Sequence, residues 1–410
     1  MNDSFLSKLK RIKLTDIGHV FLFLLAIIPA LIYKIFRPKM WLICDNAMEA
    51  RDNGYWLFKY IRENQPTCDA VYAIRKKSLD YQKVKDLGEV VPYGSFRHWI
   101  YYLAAKVNIS SQKAGKPNAA VCYALEVYGI LKNCRVFLQH GIIKDDMPFL
   151  YYENTKMRMF VCSTEREGKF VSETFGYPKG WVKTLGLCRF DNLHNNIVKP
   201  NQILVMPTWR SWIGTQEDGN RLLDNEAAVT DTEYFKTWKS LLCGAELNNL
   251  LEENDLRLVF YPHRDMQRFI RYFNMENPRI TVAAFPEYDV QTLLKESAYL
   301  ITDYSSIAMD FAYMKKPLLY YQFDYKQFRG EQYPEGYFSY REDGFGPVCT
   351  TEKEVLAVLK QAVKNGFRND EVYLNRHKAF FTLHDTHNCE RNYQAIKNLV
   401  DGEKHHVEQN

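Results

Sequence analysis

The sequence lacks the short motifs that mark several common enzyme classes. It has no Gly-x-x-x-x-Gly-Lys-Ser/Thr segment, which disfavours a P-loop kinase. It also has no Gly-x-Gly-x-x-Gly segment after the first predicted strand, no Gly-x-Ser-x-Gly nucleophile elbow and no His-Glu-x-x-His pair. The chemistry therefore has to come from other motifs, and no dedicated metal site is indicated.

Cysteine is present, but not in a paired pattern. The nine cysteines are odd in number and scattered along the chain, and no Cys-x-x-Cys pair occurs. This pattern suggests neither a zinc site nor a disulfide framework. Free thiols are typical of a reducing compartment, so we expect the protein to lie on the cytoplasmic side.

A large excess of one charge is also missing. The net charge is +5, and 25% charged residues beside 46% hydrophobic residues are typical of a folded protein, not a disordered one. The mild positive charge fits an anionic substrate or an anionic membrane surface. The basic residues are scattered, so we expect no binding to nucleic acid.

One long hydrophobic run is present near the amino terminus, at residues 17–36. Its length is close to what a membrane-crossing helix needs. Basic residues on both sides leave the orientation undecided; they are Lys8, Lys10, Arg11, Lys13, Lys34, Arg37 and Lys39. We predict that residues 1–38 form a basic, apolar membrane-associating segment, peripheral or monotopic, on the cytoplasmic face. A membrane span and a buried core helix are the alternatives.

After this segment, short apolar strands alternate with amphipathic helices. This alternation predicts an α/β fold with parallel sheets that are covered on both faces. The pattern restarts after the polar stretch 191–202, and the chain length favours two domains. We predict two doubly wound, Rossmann-like domains: an acceptor-side domain at 39–195 and a nucleotide-donor-binding domain at 196–395. A flexible tail is predicted at 396–410.

Four polar clusters each follow a predicted strand: QHGIIKDD at 139–146, PTWR at 207–210, YPHR at 261–264 and TDYSS at 302–306. In open α/β sheets, ligands bind beyond the carboxyl ends of the strands. The clusters supply imidazole, guanidinium, ammonium and hydroxyl groups, which suit phosphate chemistry. We therefore expect the clusters to line one cleft.

The first cluster offers a candidate base. A neutral His140 at the end of a strand can take a proton from an attacking hydroxyl. Gly141 lets the backbone turn tightly or approach a ligand, and Lys144 can meet an anion. The alternative is a hydrogen-bonded structural histidine at a turn.

The other clusters offer candidate phosphate ligands. Arg210 and Arg264 carry planar forks that suit phosphate. The hydroxyls of Ser305 and Ser306, with the first amides of a helix, can hold a phosphate; a helix cap with nothing bound is the alternative. Asp310, one turn later, can orient a serine, bind a substrate hydroxyl or face solvent. The predicted substrate-binding residues in and after these three clusters are Thr208, Arg210, Arg264, Asp303, Ser305, Ser306 and Asp310. His263 is predicted to be the second catalytic histidine.

The ordered segments QHGIIKDD, MPTWR, YPHR and LITDYSSIAMDFAYMKKPLLYYQFD resemble those of the CDP-glycerol glycerophosphotransferases of teichoic acid and capsule synthesis. The resemblance covers residues 40–395, and its most specific part runs from Asp303 to Asp324. It implies a GT-B-like pair of domains at the cytoplasmic face of the membrane. It also implies transfer of a polyol phosphate from CDP-glycerol or CDP-ribitol to a lipid-linked acceptor, with no further cofactor.

The resemblance also implies roles for individual residues. His140 matches the histidine regarded as the base, while His263, Ser305 and Ser306 match residues that contact the donor phosphates. Many members place the lysine one residue later than Lys144, so the role of this lysine stays open.

We predict a direct displacement in which an acceptor hydroxyl attacks the donor phosphorus, CMP leaves and His140 removes the proton. Covalent catalysis would need a nucleophile beside a base, and no Cys or Ser is convincingly placed for it. One alternative is a nucleotide-sugar-dependent transferase of the same fold. The other is an inactive membrane-bound scaffold.

Overall fold

The computed structural model describes residues 13–213 and 229–407, with side chains up to residue 402. The first twelve residues of the predicted membrane-associating segment and the last three of the predicted tail lie outside the described residues. The chain divides into two compact units. The first comprises Met1–Ile142, Met147–Asn192 and Asp385–Asn410, and the second comprises Ile143–Asp146 and Leu193–His384.

The first unit contains a seven-stranded parallel sheet with the order β3-β2-β1-β4-β5-β6-β7. Trp41 of the interior strand β1 (Trp41–Cys44) pairs with Ala70 on one side and Val107 on the other. The strands are β1 Trp41–Cys44, β2 Ala70–Ile74, β3 Val90–Pro92, β4 Val107–Ser110, β5 Arg135–Phe137, β6 Met159–Cys162 and β7 Val182–Thr184. The helices are α1 Leu14–Phe36, α2 Asn53–Asn64, α3 Tyr81–Leu87, α4 Phe96–Ala104, α5 Ala119–Val127, α6 Tyr152–Thr155 and α7 Glu165–Thr174.

Helices cover both faces of this sheet, as the alternation of side chains along β1 shows. Trp41 and Ile43 pack in one hydrophobic cluster with residues of α2. Leu42 and Cys44 point the other way, into a second cluster with residues of α1 and α4. A strand buried on both faces explains the continuous apolar run in the sequence.

The second unit contains a six-stranded parallel sheet with the order β10-β9-β8-β11-β12-β13. Its strands are β8 Lys199–Met206, β9 Arg257–Phe260, β10 Ile280–Val282, β11 Ser297–Thr302, β12 Leu318–Tyr321 and β13 Val348–Cys349. Its helices are α8 Glu233–Cys243, α9 Ala245–Glu253, α10 Val290–Glu296, α11 Ile307–Tyr313, α12 Tyr325–Glu331, α13 Glu352–Lys364 and α14 Glu371–Phe380. The two sheets confirm the predicted α/β fold of two doubly wound domains.

The end of the chain differs from the predicted division. The final helix, α15 (Asn388–Val407), belongs to the first unit, although 196–395 was assigned to the second domain and 396–410 to a tail. Ile396 and Val400 are buried in the first unit's core, and the Tyr393 ring lies 5.5 Å from that of Trp41. An apolar stripe at helical spacing therefore orders residues that their terminal position suggested were frayed.

Helix α15 is anchored through a close contact at Gly186. The side chain of Asp191 accepts hydrogen bonds from the backbone N (2.9 Å) and Nδ2 (2.7 Å) of Asn388. A Cβ atom on Gly186 would lie 1.7 Å from Asn388 Oδ1, and Gly186 has a φ of +81°. Only glycine fits there, since both the backbone conformation and the space exclude a side chain.

We expect Gly186→Ala to destabilise the protein by about 2–5 kcal/mol, the sum of the left-handed backbone cost and overpacking. Gly176→Ala is the matched control, because Gly176 has a φ of +71° with no atom within 4 Å of its Cβ position. It should cost only about 1–2 kcal/mol. Urea unfolding of both variants measures the difference. Equal losses would show that Asn388 does not restrict position 186.

Helix α1 packs against the first unit along one side. Its buried positions, Ala26 and Ala30, are small and allow close approach to α4. Trp99 Nε1 of α4 donates a hydrogen bond to His19 Nδ1 at 3.0 Å. Most other apolar side chains of α1 are exposed. Among the described residues, α1 alone has the length and composition that would allow a helix to cross a membrane.

Candidate active site

His140 lies beyond strand β5, at the carboxyl edge of the first sheet. The residue before it, Gln139, has a φ of +61°, which is uncommon for a residue other than glycine. Gln139 is buried, and its Nε2 donates to Glu167 Oε1 at 3.1 Å and to the carbonyl of Val161. Its carbonyl accepts from Asn53 Nδ2 at 2.7 Å. These bonds hold the strained backbone, and the side chain of His140 is exposed beside it.

The imidazole of His140 is neutral at neutral pH. The surrounding protein disfavours the charged form and lowers the pKa to about 4, and the charge of Arg189 acts in the same direction. The ring is nevertheless exposed, so a substrate hydroxyl has access to it. A neutral and accessible imidazole is what a general base requires. Gly141 follows as a buried residue.

The amino end of helix α2 already holds an anion, the carboxylate of Asp45. Asp45 Oδ1 accepts from Gly54 N and Ser111 Oγ, both at 2.7 Å. Its Oδ2 accepts from Tyr55 N at 3.0 Å and Tyr72 OH at 2.8 Å. A phosphate bound there would have to displace a buried carboxylate, so this helix end is not a phosphate site.

Lys144 is not an exposed cation. Residues 143–146 belong to the second unit, where the Nζ of Lys144 lies 2.5 Å from Asp145 Oδ2. The other oxygen of Asp145 pairs with Arg329 at 2.6 Å, and Asp145 forms a β-bridge with Glu335. Lys144 is only 4% exposed, so this ion pair accounts for its charge. The position of Lys144 therefore does not favour the predicted contact with a substrate anion.

Arg210 and Asp303 also lie inside the second unit. The Nη2 of Arg210 pairs with Asp303 Oδ2 at 2.8 Å, and its Nε pairs with Asp324 Oδ2 at 2.6 Å. Tyr304 OH donates to Asp324 Oδ1 at 3.1 Å. Arg210 and Asp303 are both fully buried. These ion pairs position the surrounding loops, so burial does not favour direct contact of Arg210 or Asp303 with a substrate, and their predicted role in binding stays a prediction.

The second sheet brings three of the predicted clusters together. Strands β9, β8 and β11 are neighbours and parallel, so the loops after them leave the same edge. Asp303 Oδ1 accepts from the backbone N of Thr208 at 2.8 Å, which ties the first loop to the third. The rings of Trp209 and His263 are 6.3 Å apart, which places the second loop beside the first.

Several polar groups lie at this edge of the sheet. Thr208 Oγ1 is buried and has no hydrogen-bond partner among the residues that the structure describes. Ser305 and Ser306 are partly exposed. His263 Nδ1 accepts from Asp265 N at 3.3 Å, which leaves the proton of a neutral imidazole on Nε2. A phosphate is a suitable acceptor for all these groups.

Arg264 and Asp310 have more enclosed surroundings than the sequence suggested. The guanidinium carbon of Arg264 lies 4.1 Å from the centroid of the Phe285 ring, and partial burial lowers its pKa. Asp310 is buried within α11, so the solvent-facing alternative is excluded. Its predicted contacts with a serine or a substrate hydroxyl stay predictions.

The sequence did not reveal a cavity of 680 Å³ in the second unit. It lies beyond β12 and β13 and includes Asp324, which also pairs with Arg210. The segment YPEGYFSY at 333–340 gave the available signal, a local concentration of aromatic residues. The aromatic lining consists of Phe323, Tyr325, Tyr337, Phe338 and Tyr340.

Comparisons of the sequence point to one family. The profile of CDP-glycerol:poly(glycerophosphate) glycerophosphotransferase matches residues 30–398. The minor teichoic acid biosynthesis protein GgaB of Bacillus subtilis is 31% identical over 381 residues, which are 90% of this chain and 41% of that protein. A teichoic acid poly(glycerol phosphate) polymerase of Bacillus spizizenii is 29% identical over 344 residues, 77% of this chain and 80% of that protein. The chain thus spans less than half the length of GgaB.

Solved structures share the fold. The wall teichoic acid polymerase TagF has a TM-score of 0.64 and 15% identity, with 89% of each chain covered. A TagF variant soaked with CDPG has a TM-score of 0.63 and 15% identity, over 89% of this chain and 90% of that chain. At this level of identity the likeness establishes the architecture of the two sheets.

Proposed function

The chain belongs to the CDP-glycerol:poly(glycerophosphate) glycerophosphotransferase family, and from this premise we propose that it transfers glycerol phosphate from CDP-glycerol to a hydroxyl of a lipid-linked teichoic acid acceptor, with release of CMP. The observation that supports it best is a neutral, exposed His140 beside a buried and strained Gln139. CDP-ribitol is the alternative donor.

The proposed step is a direct displacement at phosphorus. The acceptor oxygen attacks the phosphorus that carries the glycerol group, and a new P–O bond forms while the bond to CMP breaks. CMP keeps the electron pair, and His140 takes the proton of the hydroxyl. Phosphoryl transfer of this kind depends on positioning and on stabilisation of charge more than on covalent chemistry.

The second unit supplies the contacts with the donor in this proposal. Thr208 Oγ1, His263 Nε2 and the hydroxyls of Ser305 and Ser306 donate to the diphosphate and stabilise the charge that develops on CMP. Arg264 adds positive charge near His263. Binding gives the buried Thr208 hydroxyl a partner, which removes the free-energy cost of an unsatisfied polar group. The aromatic-lined cavity takes the cytidine.

The membrane role falls to helix α1. A helix that packs by one side on a folded unit and exposes its other apolar side chains suits a position in the membrane surface better than one across the bilayer. A lipid-linked acceptor would then meet the enzyme at that surface. The nine free thiols fit the cytoplasmic face.

The test is an assay of donor preference. Purified protein is incubated with a lipid-linked acceptor and CDP-glycerol, CDP-ribitol, or UDP- and GDP-sugars, and CMP and the length of the product are measured. We expect CMP release with a CDP-polyol and no turnover of the sugar nucleotides. Turnover of a sugar nucleotide alone would identify a glycosyltransferase. No nucleotide binding and no turnover would identify an inactive scaffold.

A further inference from the structure

The first unit has a cavity of 570 Å³ whose lining includes none of the residues assigned to the proposed transfer reaction. Its walls come from the last turn of α1, from the loops around α5 and from the segments before β4, β5 and β6. Six basic residues line it: Lys34, Lys106, Lys132, Arg135, Lys156 and Arg158. Such a concentration of cations predicts an anionic ligand.

The acidic member of this lining is already neutralised. Glu126 lies 2.6 Å from the Nζ of Lys116 and 2.8 Å from Arg135 Nη1. All three side chains are buried, so they form an internal ion cluster beneath the cavity. Glu126 is the one acidic residue among those that line the cavity, and Lys34, Lys132 and Lys156 bring positive charge to the same walls.

Aromatic faces fix two of these cations. The guanidinium carbon of Arg158 lies 4.1 Å from the centroid of the Trp181 ring. The Nζ of Lys156 lies 4.8 Å from the centroid of the Tyr152 ring. Such contacts restrict the two side chains and keep their charges at the cavity.

Apolar side chains border the cavity where the chain turns after α5. Gly129, with a φ of +73°, closes the turn through its N–H to the carbonyl of Glu126, at 3.1 Å. The turn leaves Tyr128 77% exposed and Ile130 68% exposed. Lys34 is the residue of α1 that lines the cavity, and Leu31, Ile35 and Phe36 at the same end of α1 are exposed as well.

We propose that this cavity binds the phosphate-bearing headgroup of an anionic phospholipid, while Tyr128 and Ile130 enter the lipid beside α1. Cations next to exposed apolar side chains match a membrane surface, where headgroup charge and hydrocarbon lie a few ångströms apart. A soluble anion would use the cations and leave the apolar turn in water. The proposal rests on the position of α1 at a membrane and is independent of the transfer chemistry.

The test is sedimentation with vesicles, in the absence of any nucleotide. The triple variant Lys132→Gln/Lys156→Gln/Arg158→Gln is compared with Arg75→Gln/Lys76→Gln/Lys77→Gln. The second set consists of exposed residues outside the cavity and removes the same charge from the same residue types. Vesicles contain phosphatidylcholine alone or with about one third phosphatidylglycerol, which probes the anionic headgroup. Circular dichroism checks that both variants are folded.

We expect the cavity variant to partition onto anionic vesicles on the order of 100-fold less than the unmodified protein, or about five-fold for each basic residue. The control variant should lose much less, and binding to neutral vesicles should change for neither. Tyr128→Ser/Ile130→Ser should weaken binding to both kinds of vesicle. Equal losses from the two charge variants would overturn the proposal. Binding of inorganic phosphate by the unmodified protein, together with full vesicle binding by the cavity variant, would overturn it too, since the site would then serve a soluble anion.

A further readout separates this proposal from the proposed function. Release of CMP with a water-soluble acceptor analogue should be the same for the cavity variant and the unmodified protein. Normal vesicle binding without CMP release would refute the transferase and leave the lipid site standing. Normal CMP release with unchanged vesicle binding in the cavity variant would refute the lipid site alone.

Discussion

Replacing His140 with alanine is expected to lower the rate of CMP release from CDP-glycerol by about 10²–10⁴-fold, the usual contribution of a general base. The affinity for the donor should change little, because the proposed donor contacts lie on other residues, Thr208, His263 and the serine pair. The rate is measured by CMP release at saturating donor, and the affinity by calorimetry. A variant that loses donor binding while it stays folded would contradict the role of base.

His387→Ala is the matched control, since His387 is an exposed histidine paired with Glu390 on the final helix. It should leave both quantities unchanged. The pH profile gives a second check. Because the pKa of His140 is lowered to about 4, the basic form dominates throughout the neutral range, and the rate should hold its plateau as the pH falls through 6.5. Loss of half the rate near pH 6.5 would contradict the lowered pKa.

Replacing Arg210 with methionine is expected to destabilise the protein by about 3–5 kcal/mol, because removal of one partner leaves buried charges uncompensated. Asp303 and Asp324 would both remain in the interior, where each now pairs with Arg210. Urea unfolding measures the loss. Any fall in activity should follow the folded fraction, since Arg210 is fully buried and its guanidinium bonds go to the protein itself.

Arg279→Met supplies the comparison within the same unit. Arg279 pairs with Asp255 at 2.8 Å, but the carboxylate is 82% exposed, and such surface pairs contribute little to stability because water screens them. The difference between the two variants isolates the effect of burial. If Arg210→Met were fully stable and bound CDP-glycerol weakly, Arg210 would be a ligand of the donor after all.

The sequence was sufficient for the architecture because buried parallel strands have a strong signature. Runs such as Trp41–Cys44 and Leu318–Tyr321 are apolar throughout, as strands covered on both faces must be. The return of α15 to the first unit was missed, since the apolar stripe of a helix does not specify which core receives it. That choice depends on Asp191 and Gly186, which are distant in sequence from the helix they anchor.

For the candidate site, the sequence predicted the positions of residues along the sheet edge better than the directions of their side chains. The position of a residue after a strand indicates an edge of the sheet, but not whether the side chain turns outward or inward. His140 turns outward, whereas Arg210 turns inward to meet Asp303 and Asp324. The available signal for Arg210 was a pair of aspartates that can neutralise a buried guanidinium: Asp303 comes directly after β11, and Asp324 lies in the loop after β12. The strained Gln139 has no sequence signature, because its φ depends on bonds to distant residues.

The close packing of helix α1 against α4 affects how this protein can be produced for structural work. Ala26 and Ala30 lie in the same cluster as Trp99, Tyr101 and Tyr102. A shortened chain that starts after Phe36 would lack the helix that covers these aromatic rings. The exposed apolar surface of α1 would then be replaced by the newly exposed apolar surface of α4. Solubilisation by detergent, with the helix kept in place, is therefore a sounder route to crystals than truncation.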